Sequence, residues 1–117
     1  YGSTPLIIAI TFGKTEVAKA LIEAGADLTI TNNDGSASLH IAAFFCRTEI
    51  VEALLENGAD KDFRNSAGRT ALDAVEGPFD EVKAIYDALR KDLEPLGLRL
   101  DYERIKETRP KIAEMLR

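Results

Sequence analysis

The chain has 117 residues, 45% of them hydrophobic, and its 20 acidic and 15 basic residues give a net charge of −5. Such a composition is typical of a single globular domain, and it excludes an intrinsically disordered chain. The single cysteine excludes an internal disulfide and leaves the compartment open, and one cysteine with one histidine cannot form a zinc-binding cluster.

The start of the chain predicts two helices followed by an extended finger. A short helix is expected between Pro5 and Gly13, because a proline in the first turn gives up an N–H that has no partner within a helix. A second helix is expected from about Thr15 to Ala24, where apolar residues recur at helical spacing. β-Branched residues and an Asn-Asn-Asp-Gly turn then predict a hairpin-like finger over residues 28–35.

The same pattern returns with a fixed period. Gly2, Gly35 and Gly68 are evenly spaced, and a leucine follows each of them at the same distance. Residues 15–27 and 48–60 read TEVAKALIEAGAD and TEIVEALLENGAD, which are identical at eight of thirteen positions. A constant period of this length indicates an array of stacked repeats.

The third unit and the tail that follows it depart from this pattern. Gly77 and Pro78 break the first helix of the unit early, and a second helix is predicted from about Phe79. The tail is predicted to contain a helix capped by Asp101 and a separate last turn or two that begins near Pro110. An array of repeats exposes an apolar face at its end, and we expect the tail to cover that face. The alternative is that the tail forms a separate surface for a ligand or for oligomerisation.

A helix–helix–finger unit of this period, with Thr-Pro-Leu and Gly-Ala-Asp at these separations, resembles the ankyrin repeat. The resemblance implies an all-α fold, an ankyrin-repeat solenoid of helix–turn–helix units joined by β-hairpin-like fingers, with a concave binding surface. It divides the chain into a repeat with a truncated start (1–31), a complete repeat (32–64), a divergent repeat (65–93) and a helical C-terminal cap (94–117). Because the first repeat lacks the polar substitutions of a capping face, we expect further repeats or a capping segment before Tyr1.

The sequence gives no indication of catalysis. His40 follows Leu39 where the family has Thr-Pro-Leu-His, and the resemblance implies a structural histidine that bonds the backbone of the adjoining turn. Cys46 lies six residues further along the same helix, about 600° around its axis, so it cannot pair with His40 as a nucleophile. No phosphate-binding loop, carboxylate pair or metal-ligand spacing is present, so we predict no enzyme activity, cofactor or metal. Cys46 itself is interpreted as a half-buried apolar residue, with a reactive surface thiol as the alternative.

The acidic excess lies entirely in residues 1–78, which hold 11 acidic and 6 basic residues, whereas residues 79–117 hold nine of each. An acidic surface repels phosphate backbones, so we predict no nucleic acid partner and slightly favour a neutral or basic protein. The interpretation that we favour for the charges themselves is that they only solvate the outer helices. No apolar run approaches the ~18 to 20 residues of a membrane span, so no membrane partner is predicted either.

Phenylalanines and finger residues are the candidates for binding a partner. Phe12 and Phe45 lie one period apart, and Phe44 adjoins the latter. In the family these positions commonly face the groove, so we expect them to be partly exposed as an apolar anchor, with local core packing as the alternative. Polar finger residues would form the rim of the interface. The predicted partner-binding residues are Phe12, Asn33, Asp34, Ser36, Phe44, Phe45, Ser66 and Arg69.

The predicted function is a non-catalytic protein–protein interaction module that binds a partner protein through its concave face and fingers, as an inhibitor or an adaptor. The alternative is an intramolecular scaffold or regulatory domain of a longer polypeptide. The sequence leaves open the identity of the partner and the oligomeric state.

Overall fold

The computed structural model describes residues 4–117, and within that span the chain is helical. The helices are α1 (Pro5–Thr11), α2 (Thr15–Glu23), α3 (Ser38–Phe44), α4 (Thr48–Glu56), α5 (Phe79–Leu93) and α6 (Tyr102–Leu116), with 3₁₀ turns at Leu72–Ala74 and Glu94–Leu96. The all-α class is therefore confirmed. Over the same residues there is no strand, and the first predicted finger contains a single antiparallel bridge between Thr31 and Ala37. The positions Tyr1 and Gly2 lie outside the described residues.

The first two helix pairs have the same internal packing. α1 packs against α2 and α3 against α4, while α1 also contacts α3 and α2 contacts α4. Close approach of the inner helices is possible because the residues between them include Ala9, Ala42 and Ala43, which are buried. Thr4 begins the first pair, since its hydroxyl oxygen accepts a hydrogen bond from the Ile7 N–H at 3.2 Å.

The turns that end the two inner helices have equivalent backbone conformations. Gly13 has a φ of 70°, and Cys46, which lies one period later, has a φ of 56°. Cys46 is the one non-glycine residue of the described chain in this left-handed region, which costs an L-residue about 1 to 2 kcal/mol. The surrounding packing must hold it there.

The third unit is built differently from the first two. A 3₁₀ turn at Leu72–Ala74 replaces its inner helix, and it packs against α3. The long helix α5 makes no extensive contact with α4; instead α6 packs against both α4 and the 3₁₀ turn. α6 also runs without interruption through Pro110, so the prediction of a separate last turn there is wrong. Pro110 is exposed, on the side of the helix away from the core.

The apolar residues form two clusters. The main core extends through α1–α4 and α6 and includes Ile10, Ile50, Leu54 and Ile112, all fully buried. It also includes the fully buried Tyr86 of α5. A second cluster lies between the C-terminal ends of the inner helices and the α5 region, and we call it the phenylalanine cluster. It consists of buried Phe45, Leu93 and Leu98 with Phe12, Ile41, Phe44, Leu89 and Leu100 packed around them.

Candidate protein-binding surface

Two polar loops in successive repeats are built by the same asparagine interaction. The Asn32 side-chain oxygen accepts hydrogen bonds from the N–H groups of Asp34 and Ser36, at 2.9 and 3.1 Å. The side-chain oxygen of Asn65 accepts equivalent bonds from Ala67 and Arg69, both at 3.0 Å. Each loop is therefore fixed by its own asparagine, as is usual for Asx turns. The exposed candidates on these loops are Asn33, Asp34, Ser66 and Arg69.

The two loops are also joined to each other. The Ser66 N–H donates to the Asp34 carbonyl oxygen at 3.1 Å, and the Asn65 amide donates to the Ser36 hydroxyl at 3.4 Å. Gly35 permits this approach, because a Cβ at that position would lie 2.8 Å from the Ser66 backbone nitrogen. Ser36 is buried between the loops, so its side chain does not form part of the exposed rim where it was predicted.

His40 connects the same two loops through hydrogen bonds to the backbone of each. Its Nδ1 accepts a hydrogen bond from the Ala37 N–H at 3.3 Å, so Nε2 carries the proton and donates to the Arg69 carbonyl oxygen at 2.8 Å. The predicted role, bonding the backbone of the adjoining turn, agrees with this geometry. Both ring nitrogens are occupied and the residue is buried, which leaves neither nitrogen free for proton transfer to a substrate.

The three predicted anchor phenylalanines differ in exposure. Phe45 is only 4% exposed, so the expectation that it lies open in the groove is wrong. Phe44 is half-buried because its ring stacks on Tyr86, with centroids 4.2 Å apart. Phe12 is half-buried at the edge of the phenylalanine cluster. Phe45 is buried because Leu93 of α5 and Leu98 of the following segment cover it.

An aromatic stack fastens α5 in this position. Tyr86 is fully buried between Phe44 and Phe79, and its hydroxyl donates to the Phe44 carbonyl oxygen. Burial, as the largest cause, raises the pKa of Tyr86 far above its ordinary value. The stack continues to Tyr102 of α6, which meets Phe79 edge to face at 5.6 Å. The sequence predicted a helix from about Phe79 but did not indicate which helix it would contact.

Charged side chains contact Tyr102, the last ring of the stack. The Tyr102 hydroxyl donates to Asp87 at 2.6 Å, and the Lys83 ammonium donates to the same carboxylate at 2.8 Å. The hydrogen bond from Lys83, followed by that from Tyr102, lowers the pKa of Asp87. Burial, followed by the bond to Asp87, raises the pKa of Tyr102 to about 12. Arg90 lies 4.9 Å from the Tyr102 ring centroid, a distance suited to a cation–π contact.

Three arginines bind carbonyl oxygens at the ends of the inner elements. Arg47 donates to the Ile10 and Thr11 carbonyls, at 3.1 and 2.8 Å. Arg104 of α6 donates to Cys46 at 2.8 Å and to Phe45 at 3.1 Å. Helix C-termini leave carbonyls without intrahelical partners, so cationic donors there satisfy them and interact favourably with the helix dipole.

The third of these arginines is the most deeply buried. Arg109 is 3% exposed and donates to the carbonyls of Ala74, Glu76 and Gly77, at 2.9, 3.3 and 3.3 Å. It therefore holds the end of the 3₁₀ turn and the start of the connection to α5. Sequence reasoning missed all three arginines, because a side chain that binds backbone carbonyls has no partner residue type to reveal it.

The family model described as ankyrin repeats (3 copies) matches residues 1–65. The chain belongs to the ankyrin-repeat family. Ankyrin repeats generally serve as protein-interaction modules and are typically non-catalytic. The match ends before the 3₁₀ turn, so α5 and α6 lie outside it. No curated protein matches the chain.

Cys46 of this ankyrin-repeat chain is completely buried, so the alternative of a reactive surface thiol is wrong. Its sulfur lies 3.8 Å from the Ile105 carbonyl oxygen of α6, as a weak donor. Burial is the main cause that raises the pKa of Cys46 to about 11, and the nearby arginines only partly offset it. The thiol therefore stays protonated and acts as a small apolar residue.

Two kinds of feature are absent from residues 4–117. No group of three or more histidine, cysteine or carboxylate side chains is arranged to hold a metal ion in that part of the chain. Among its helices, none combines the length and the apolar composition that crossing a membrane requires.

Proposed function

We propose that this chain binds a partner protein through the two polar loops at residues 31–37 and 64–70, together with exposed apolar residues of the inner helix α1. One observation carries the proposal. Across residues 4–117, the side chains of Asn33, Asp34, Ser66 and Arg69 are exposed and have no hydrogen-bond or ion-pair partner. They nevertheless project from loops that Asn32, Asn65 and His40 hold in place.

Fixed loops with free polar side chains are well suited to binding. Because the loop backbones are already ordered, a partner does not have to supply the free energy to order them. The same polar groups, exposed to water in the unbound protein, can form the hydrogen-bonded rim of an interface. These loops therefore favour a binding role over a purely structural one.

An apolar contact is available on the inner helix α1. Ile8 is 49% exposed, and Phe12 lies one helical turn further along α1 and is half-buried. Exposed and half-exposed apolar side chains next to a polar rim are the usual composition of a protein–protein contact. In this proposal Phe12 keeps its predicted role, whereas Phe44 and Phe45 serve the packing of α5.

The acidic excess of residues 1–78 supports a neutral or basic protein as the partner. In this proposal the chain is an adaptor if the bound partner keeps its own activity, and an inhibitor if that activity is blocked.

The test compares two charge reversals in a capture experiment. Asp34→Lys changes the loop surface, and Glu52→Lys makes the same charge change on the exposed side of α4. A protein captured by the wild-type chain should be retained by Glu52→Lys and bound at least about tenfold more weakly by Asp34→Lys. Tenfold corresponds to about 1.4 kcal/mol, and the charge reversal replaces attraction to a basic partner with like-charge repulsion. Equal retention by both variants, with unchanged melting temperatures, would place the binding surface elsewhere.

A further inference from the structure

The α5 region occupies the surface where the repeat pattern would place an exposed phenylalanine pair. Tyr86 stacks on Phe44 with a ring angle of 17°, and its hydroxyl donates to the Phe44 carbonyl oxygen. Leu93 and Leu98 bury Phe45. Phe12, which holds the position of Phe45 in the preceding repeat, remains half-buried. The chain therefore covers with its own helix a surface that is left more open one repeat earlier.

The two ends of this covering segment are anchored by arginines of α6. Before α5, Arg109 binds the carbonyl oxygen of Gly77 at 3.3 Å. After α5, Asp101 caps α6 by accepting from the Arg104 N–H at 3.2 Å, and the Arg104 guanidinium binds the carbonyls of Phe45 and Cys46. Both anchors bind backbone carbonyls outside α5, and the Arg109 guanidinium also interacts with the Tyr86 hydroxyl of α5.

α6 packs on the repeats through side chains of its own. Ile112, Ala113 and Leu116 are buried against the main core, and they repeat the spacing of Ile50, Val51 and Leu54 in α4. Together with the contacts of α6 to α4 and to the 3₁₀ turn, this favours α6 as the second helix of the third unit. The segment between residues 78 and 98 is then an insertion within that unit, not part of its stacking.

Glycines lie at both ends of the insertion. Gly77 has a φ of 85° and Gly97 a φ of 108°, and a Cβ at Gly97 would meet no atom within 4 Å. Such residues absorb large changes in backbone angles at little cost, as hinge positions require.

We propose that residues 78–98 form a strap that acts as a built-in helical ligand of the Phe44–Phe45 surface and can open without unfolding the repeats. The strap also defines the class of partner that fits the surface: an amphipathic helix from another protein with an aromatic residue followed by leucines three and seven positions later. In the strap these residues are Tyr86, Leu89 and Leu93.

A strap of this kind lowers the apparent affinity of the chain for such a helix from another protein. A partner can bind only the fraction of molecules in which the strap is open, so its apparent dissociation constant increases by the inverse of that fraction. The proposal depends on the proposed binding function only for the statement that another protein supplies the helix.

The opening is tested by native-state hydrogen exchange on the unmodified chain. If the strap opens by itself, the amides of residues 86–93 should exchange at least about thirtyfold faster than the slowest amides of α3, α4 and α6. Protection of α5 equal to that of α3 and α4 would show that it separates only with global unfolding, and would overturn the proposal.

The class of partner is tested with a synthetic peptide of residues 78–98. Tyr86→Ala with Leu93→Ala in the chain weakens the strap while leaving Phe44 and Phe45 in place. The peptide should bind this variant at least about tenfold more tightly than it binds the wild type. A control peptide that carries the same two alanines should not bind. Equal binding of the peptide to both chains, or equal binding of both peptides, would contradict a helical site. Neither the exchange assay nor the peptide assay involves the partner of the loops. Their outcome is therefore independent of the comparison of Asp34→Lys with Glu52→Lys.

Discussion

Replacing Arg109 with methionine should strongly destabilise the chain. Methionine keeps most of the length and apolar volume of the arginine stem but removes all of its hydrogen-bond donors. In the folded protein, the carbonyls of Ala74, Glu76 and Gly77 then lose the guanidinium that binds them at 2.9, 3.3 and 3.3 Å. Because Arg109 is 3% exposed, water has little access to replace it.

The size of the effect follows from these contacts. A hydrogen bond to a charged group contributes about 1.5 to 3 kcal/mol, and the two 3.3 Å bonds share one nitrogen, so we count them as one. The expected loss in the free energy of unfolding is therefore about 3 to 6 kcal/mol. For a chain of 117 residues the whole free energy of unfolding is about 6 to 17 kcal/mol, so the variant should fold with a lowered midpoint.

Arg99→Met provides the matched control. Arg99 also donates to two backbone carbonyls, those of Glu94 and Leu98 at 3.3 and 3.0 Å, but it is exposed. Water can replace its guanidinium there, so the expected loss is below about 1 kcal/mol. Urea unfolding followed by circular dichroism measures both variants. A loss for Arg109→Met that equals the loss for Arg99→Met would refute the argument that burial makes this arginine important.

Two further stability predictions follow from buried groups. Phe45→Glu should lower the free energy of unfolding by about 3 kcal/mol or more, because it places a carboxylate under Leu93 and Leu98. Phe12→Glu, at the equivalent but half-buried position of the preceding repeat, should lower the melting temperature less. Equal losses for the two variants would contradict the burial of Phe45 by α5. The pKa of Cys46 is raised from 9.0 to about 11, so the thiol stabilises the fold below pH 9, and about 2 to 3 kcal/mol is lost as the pH rises from 9 to 11. Urea unfolding at pH 8 and pH 10.5 should show a smaller difference for Cys46→Ala than for the wild type, and an unchanged difference would contradict this assignment.

The repeat period predicted the first two units well, because their helices are defined by local signals. Pro5 and Gly13 bound α1, and α2 begins at Thr15 and ends one residue before the predicted Ala24. The loops were also accessible to sequence reasoning, since asparagine, glycine and serine determine their backbone locally. Four of the eight candidate residues, all on these loops, are exposed as the partner-binding hypothesis requires.

The third unit could not be predicted in the same way, because its packing depends on contacts distant in sequence. With α6 as the proposed second helix of this unit, Ile112 lies nearly two repeat periods after Ile50 rather than one, whereas the period alone points to α5. The apolar pattern of Tyr86 and Leu93 does not distinguish packing on α4 from packing on Phe44 and Phe45. The surface on which α5 packs decides whether Phe45 is exposed, and tertiary contacts alone determine that surface.

The binding role of the two loops is tested most directly by a hydrogen-exchange footprint of the captured partner on the wild-type chain. We predict added protection at the amides of residues 32–36 and 65–69, which have the free polar side chains at their surface. We expect no change along the exposed sides of α2 and α4. Protection confined to α2 and α4, with the loops unaffected, would contradict the proposed binding surface.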